Sequence, residues 1–348
     1  MNKMKGWNVK TKTFTTSFTL LLAFVIGCAA TGFAQKSRTA PAAKPAPSLL
    51  TDLPQSDAVA LVNVRQLLDQ AVPKILAENS AKVAEVNAEI QKFKTKTGID
   101  PRSFDQLALG MRYSYPSAEI TKIETVALAR GTFNAAAFVA AGRIAANGKY
   151  REEKYQDRMI YVFSLDQQMK VFGLLNIKVH DLAVTALTGN VLALGTPDTV
   201  RSAIDASKER RKLNQDLITL ATRDPNAVIG FGGNVTPGLI SSLKLSNEAI
   251  ARDIATIRQV YGTVGVTDKD VETFLAARTV NADSAKNLSD TLEGLRQLGA
   301  FFVSRMPAAK GTVARTALDN LKITTQGNEL QIRTAVAQAA IAPLLRGD

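Results

Sequence analysis

Histidine and cysteine are nearly missing from this chain: each occurs once in 348 residues, as His180 and Cys28. A zinc site built on histidines or on a cysteine–histidine set needs several such ligands, so none can be assembled here. With a single cysteine no internal disulfide is available, and the fold has to stand on its apolar core. A serine–histidine–acid triad would have to use His180, next to Asp181 in a strand-like stretch, and no Gly-x-Ser-x-Gly turn supplies the nucleophile. Gly-Lys-Ser/Thr is absent as well. Gly230-Phe231-Gly232-Gly233 follows a strand but fits neither phosphate-binding glycine pattern, so it reads as a strand end where another backbone comes close. Aromatic residues are only 6% of the chain. That is thin material for stacking bases, and nucleic acid is not an expected partner. No catalytic, cofactor-binding or metal-binding residue stands out, and no cofactor is expected.

What is present begins with a targeting signal. Lys3, Lys5, Lys10 and Lys12 precede the apolar run 18–26, and small residues lead to Gly32-Phe33-Ala34. A basic end, a short apolar segment and a small-x-small site predict an exported chain with residues 1–34 as signal peptide. The run falls short of the roughly 20 residues that a membrane span needs. Two processing routes are open. Cleavage after Ala34 gives a soluble product, whereas Val25-Ile26-Gly27-Cys28 resembles a lipobox, which would make Cys28 the acylated first residue. The expected location is periplasmic or extracellular, with contact to a membrane only through the signal or that lipid anchor. The leader holds four cations and no acid, so it takes four of the twelve net positive charges with it. The remaining excess suits an anionic envelope component. Residues 35–48, rich in Pro, Ala and cations, read as an extended spacer.

The folded body then reads as a duplication. Asn79 to Gly110 predicts an amphipathic helix, a stop at Gly98 and a short bend started by Asp100-Pro101 ahead of a strand. A variant returns at Ser246 to Ala277, and Gly98 and Gly265 stand 167 positions apart. Ala84, Ala88 and Ile90 match Ala251, Ala255 and Ile257 at that offset, which assigns Gly265 the same role as a turn between helix and strand. Paired strand patterns around Thr188-Gly189-Asn190 and Gln326-Gly327-Asn328 predict hairpins in both halves. Asp283 or Ser284 is expected to cap a helix running through Leu288, Leu292, Leu295 and Leu298. The expected fold is α+β: two related repeats, residues 49–213 and a shorter 214–348, each a mainly antiparallel sheet with helices packed on one face.

Three short patterns, Leu53-Pro54 with Asp57, Thr97-Gly98-Ile99-Asp100-Pro101, and Leu194-Gly195-Thr196-Pro197-Asp198-Thr199-Val200, give the chain a resemblance. It resembles exported bacterial proteins of unknown function built from duplicated α+β repeats. The resemblance spans roughly residues 50–345 and implies export and a repeated fold with no established activity. Composition and resemblance together lead to the expectation of a non-enzymatic envelope or periplasmic protein, a binding or scaffold module. The alternative is a carrier holding an apolar, lipid-like ligand between the repeats. A hydrolase using paired carboxylates is a third reading, which requires acids to cluster in space.

Overall fold

A computed structural model describes residues 48–341 of the chain, apart from 78, 118–119, 165–167, 172–174, 179–180, 210–212, 244, 304 and 307. The expectations for the leader, for Cys28 and Ala34, for all of the spacer but Ser48, and for His180 lie outside the described residues.

A helical turn, Leu49–Asp52, leads into β1 (Ala58–Asn63) and a helical segment, α1 (64–75). Within α1 the chain widens to a π-turn at Leu67–Ala71, just ahead of Pro73, where a residue without an N–H donor is tolerated. There follow α2 (Ser80–Thr97), β2 (Phe104–Ser117), β3 (Ile120–Gly131) and α3 (Ala135–Ala145). Three hairpins come next: β4 (Tyr150–Tyr155) with β5 (Arg158–Ser164), β6 (Gln168–Val171) with β7 (Leu175–Lys178), and β8 (Asp181–Thr188) with β9 (Val191–Gly195). Helices α4 (Pro197–Glu209) and α5 (Gln215–Ala221) precede β10 (Ile229–Asn234), α6 (Pro237–Ser242) and α7 (Glu248–Ala255). The chain continues with β11 (Ile257–Val266), β12 (Asp270–Thr279), α8 (Ala282–Val303) and α9 (Ala308–Asp319). It closes on β13 (Lys322–Gln326), β14 (Glu329–Ala337) and α10 (Gln338–Ile341).

The class is α+β, with one long antiparallel sheet at its centre. Twelve strands run in the order β13-β14-β12-β11-β10-β1-β2-β3-β9-β8-β5-β4, while β6 and β7 pair apart from it. The two halves of the chain meet at the β1–β10 pair, whose register sets Ala60 against Phe231 and Leu61 against Gly230. Outward from that seam, the five strands β10, β11, β12, β14 and β13 mirror β1, β2, β3, β9 and β8. The pair β4–β5 is extra.

Helices cover both faces of the sheet, not one as the patterning suggested. Strand residues that face each other across a ladder share a face, and Val59, Val126, Leu128 and Ala193 pack with Val200, Ala203 and Ile204 of α4 and Leu217 and Ile218 of α5. Their neighbours along the strands, Ala129, Val184 and Leu192, pack with Ala135 and Val139 of α3 on the opposite face. The reason lies in the strands: β9 carries an unbroken apolar run, and Val191, Leu192 and Ala193 are all buried, as a strand covered on both sides requires. Helix α5 lies so close to β10 that a Cβ added to Gly230 would stand 1.9 Å from the Ala221 carbonyl oxygen. The glycine-rich strand is thus a packing surface.

The 167-residue correspondence does not survive in the backbone. Gly98 ends α2 in the left-handed conformation, with φ of 71° and its N–H on the Lys94 carbonyl. Gly265 lies inside β11, opposite Glu272 of β12. The preceding helix α7 has eight residues against eighteen in α2. Ile257, Val260, Tyr261, Thr263, Val264 and Val266 favour a strand, with β-branched and aromatic side chains that fit a pleated surface, and they take over where a longer helix was expected.

Candidate docking surface

The residues singled out as turns do local structural work. The Asp100 carboxylate accepts from the Arg102 N–H at 2.9 Å and from Lys94 Nζ at 2.9 Å. The Lys94 hydrogen bond, with the backbone one behind it, holds its pKa below the ordinary carboxylate range. Pro101 begins the 3-10 turn that this cap organises. No common site gathers around Gly98 and Gly265: beside Gly98 the nearest neighbour of an added Cβ would be Ala141 of α3, and beside Gly265 there is open space.

A small cleft of about 210 Å³ opens over the sheet between Gln55, Arg112, Glu124, Asp198, Ser202 and Asp205. Its acids are engaged. Glu124 takes Lys122 at 2.6 Å, Asp198 takes Arg201 at 2.7 Å, and Asp205 accepts from Tyr155 Oη at 3.1 Å and Gln156 Nε2 at 2.6 Å. Ser202 Oγ donates to the Asp198 carbonyl oxygen. No histidine, cysteine or acid group among the described residues is arranged to hold a metal ion.

A second polar cluster lies on the sheet beside α5. Tyr261 is fully buried, accepts from Arg223 Nη1 at 2.9 Å, and is flanked by the Arg278 guanidinium. Burial pushes the Tyr261 hydroxyl up to about 12. Burial also pulls at Glu329 in the protonating direction, but hydrogen bonds with Tyr261, Gln331 and Arg278 outweigh it and keep this carboxyl below its usual value. Arg278 is shared between Glu329 and Asp216 of α5, which ties the helix to the sheet. This network is closed on itself.

The surface that is not closed is the far end of α8 and its return into α9. The helix starts with Asn281, whose side chain accepts from the Ser284 N–H at 2.8 Å, so Asn281 takes the capping role expected of Asp283 or Ser284. Ala285 and Leu288 are buried, and Leu288 and Leu292 pack with Ala277, Ile323 and Leu330 of β12, β13 and β14. Beyond Leu292 the apolar stripe is exposed. Leu295 is 41% exposed, Leu298 60%, Phe301 56%, Phe302 64% and Met306 44%. The intervals of three and four residues put Leu295, Leu298 and Phe302 along one side of the helix. Phe301 meets Phe302 edge-on at 5.9 Å, and the Arg305 guanidinium lies 4.4 Å from the Phe301 ring centre.

This exposed end is built, not frayed. Arg305 and Met306 return their N–H groups to the carbonyls of Phe302 and Val303 at 3.0 and 3.1 Å. Val303 is buried, and Gly311 lets α9 start against the Val303 and Met306 carbonyl oxygens, which an added Cβ would meet at 3.3 and 3.2 Å. Arg296 grips Glu293 with two bonds of 3.0 Å and reaches the Leu318 carbonyl of α9. Val313 and Ala317 bury the other side of α9 against Val264, Val271 and Val336. Of the leucines at helical spacing, the structure buries Leu288 and leaves Leu295 and Leu298 in solvent. A sequence signal for the tip was available in the adjacent phenylalanines 301 and 302 and in an acid-free stretch, residues 294–318, that contains four cations.

Among the described residues no helix is long and apolar enough to cross a membrane. No protein-family profile matches the chain, and no curated protein matches it. Among solved structures, crystal form I of TP0453 is similar at 10% identity and a TM-score of 0.44, covering 87% of this chain and 97% of that one. Crystal form III of TP0453 is similar at 10% identity and a TM-score of 0.45, covering 86% and 98%. Likenesses of that strength assign no activity to this chain.

Proposed function

We propose that this chain is a non-enzymatic, exported binding module that attaches to a component of the cell envelope through the α8–α9 tip. The observation that carries the reading is the set of five large apolar side chains presented to solvent at the end of a well-packed helical hairpin. Single exposed apolar residues are ordinary, but a contiguous group on a rigid support marks an interaction surface. The chemistry of the cleft supports the same direction, because its carboxylates and its serine are held in structural pairs. An apolar ligand enclosed between the halves finds less support, since β1 and β10 join them by a continuous ladder with α5 packed across it. The mirrored strand order about β1–β10 supports an origin of the halves by duplication followed by divergence of the helices.

A photo-crosslinking side chain at position 302 of the full-length protein, in intact cells, tests the attachment. The expected result is a crosslink to an envelope component, absent when the same probe replaces Lys322 on the edge strand. Equal labelling from the two positions would refute a docking role for the tip.

A further inference from the structure

Building on the docking reading above, we propose that the occupant of the α8–α9 tip is an anionic lipid surface, into which Phe301, Phe302 and Met306 insert while the nearby arginines meet the headgroups. Three observations lead there. The apolar group sits at the end of a helical hairpin, where α8 meets α9 through Gly299 and Leu318 and Gly311 of α9 meets Met306 ahead of it. A lipid interface yields around an inserted wedge and needs no complementary pocket. The group is also aromatic: Phe301 and Phe302 meet edge-on at 5.9 Å in the last turn of α8, and apolar aromatic faces of this kind are what rests in a lipid interface.

Charge supplies the third argument. Residues 294–318 hold Arg296, Arg305, Lys310 and Arg315 and no aspartate or glutamate; Arg296 is engaged by Glu293, and Arg315 is exposed. Arg305 sits on the Phe301 ring, so its guanidinium is carried to the border of the apolar patch. This combination of aromatic wedge and local positive charge is complementary to an interface that is apolar inside and negative outside. On such a surface each cation near the headgroups strengthens binding by roughly fivefold at moderate salt. The aromatic pair does more: removing two half-inserted phenylalanines weakens partitioning by roughly tenfold or more.

The test places the only tryptophan of the full-length chain at the tip, by combining Trp7→Phe with Phe302→Trp, and mixes it with vesicles. Vesicles of phosphatidylglycerol are expected to shift the emission to the blue, brominated acyl chains are expected to quench it, and phosphatidylcholine vesicles are expected to do both several-fold more weakly. Added salt should narrow the gap between the two lipids. Arg305→Glu with Arg315→Glu in the same background should remove most of the preference for phosphatidylglycerol while leaving the far-ultraviolet circular dichroism unchanged. No shift and no quenching on phosphatidylglycerol overturns the lipid assignment, as does equal binding to both lipids. If the position-302 crosslinker meanwhile captures an envelope protein, the docking reading stands and the occupant is that protein. If neither experiment responds at the tip, both fall together.

Discussion

The two ends of α8 share one sequence pattern and have opposite fates. Leu288 is 3% exposed and Leu298 60%, yet both continue the same leucine spacing. The first half packs on Leu330 and Ile323; the second half leaves Leu295, Leu298, Phe301 and Phe302 in solvent and meets α9 through Gly299 and Leu318. The difference teaches that an amphipathic stripe on a helix is a demand for a covering surface, which this molecule meets along half its length. At the other end the demand is left open, on a support rigid enough for the opening to be useful.

The contrast can be broken most directly at its buried end. Leu288→Ala should cost about 2–4 kcal/mol of folding stability, the range for a leucine truncated in a packed core, and urea denaturation checks it. A loss no larger than that of Leu298→Ala would erase the distinction. Next in size is Gly311→Val, which forces a branched side chain against the Val303 and Met306 carbonyls. A cost of about 1–3 kcal/mol is expected from such overpacking, together with weaker attachment, because the tip loses its geometry. A null result would mean that α9 does not shape the tip.

Acid sensitivity separates the supported region from the tip more gently. Glu329 is held below its ordinary value of 4.5 by hydrogen bonds with Tyr261, Gln331 and Arg278. A carboxyl with a lowered folded-state value stabilises the protein fully above its unfolded value and loses that contribution as pH falls through the folded one. Stability should therefore decline below about pH 4.5, with a shallower slope in Glu329→Gln, as followed by thermal melts across pH. Tip variants should leave that slope unchanged, since residues 294–318 contain no acid. The smallest effect is expected from Phe302→Ser, within about 0.5 kcal/mol of the parent in urea, as for an exposed side chain with little native packing. A loss of several kcal/mol there would show that Phe302 belongs to the core.

Much of the fold was legible in local chemistry. Thr188-Gly189-Asn190 and Gln326-Gly327-Asn328 do join β8 to β9 and β13 to β14, because turn residues act within a few positions of themselves. Asn134 accepts from the Ala137 N–H and caps α3. The match of Gly98 with Gly265 failed because it compared letters while the backbones differ: one glycine is needed for a positive φ, the other merely sits in a strand. The candidate tip was half legible. Its helix and the leucine spacing were expected, but spacing does not show which of the leucines meet a covering surface.

By itself, the sequence determined the elements and their punctuation: strands from two-sided apolar runs, helix ends from Asn, Gly and Pro, and the want of histidine and cysteine for metal or thiol chemistry. These are decided by short-range sterics and residue inventory. Only the tertiary structure decided that helices lie on both faces, that β1 and β10 join the halves, and that the far half of α8 keeps its leucines in solvent. Those depend on contacts between residues far apart in the chain. Burial is a property of what a side chain finds opposite it, which its own periodicity cannot record.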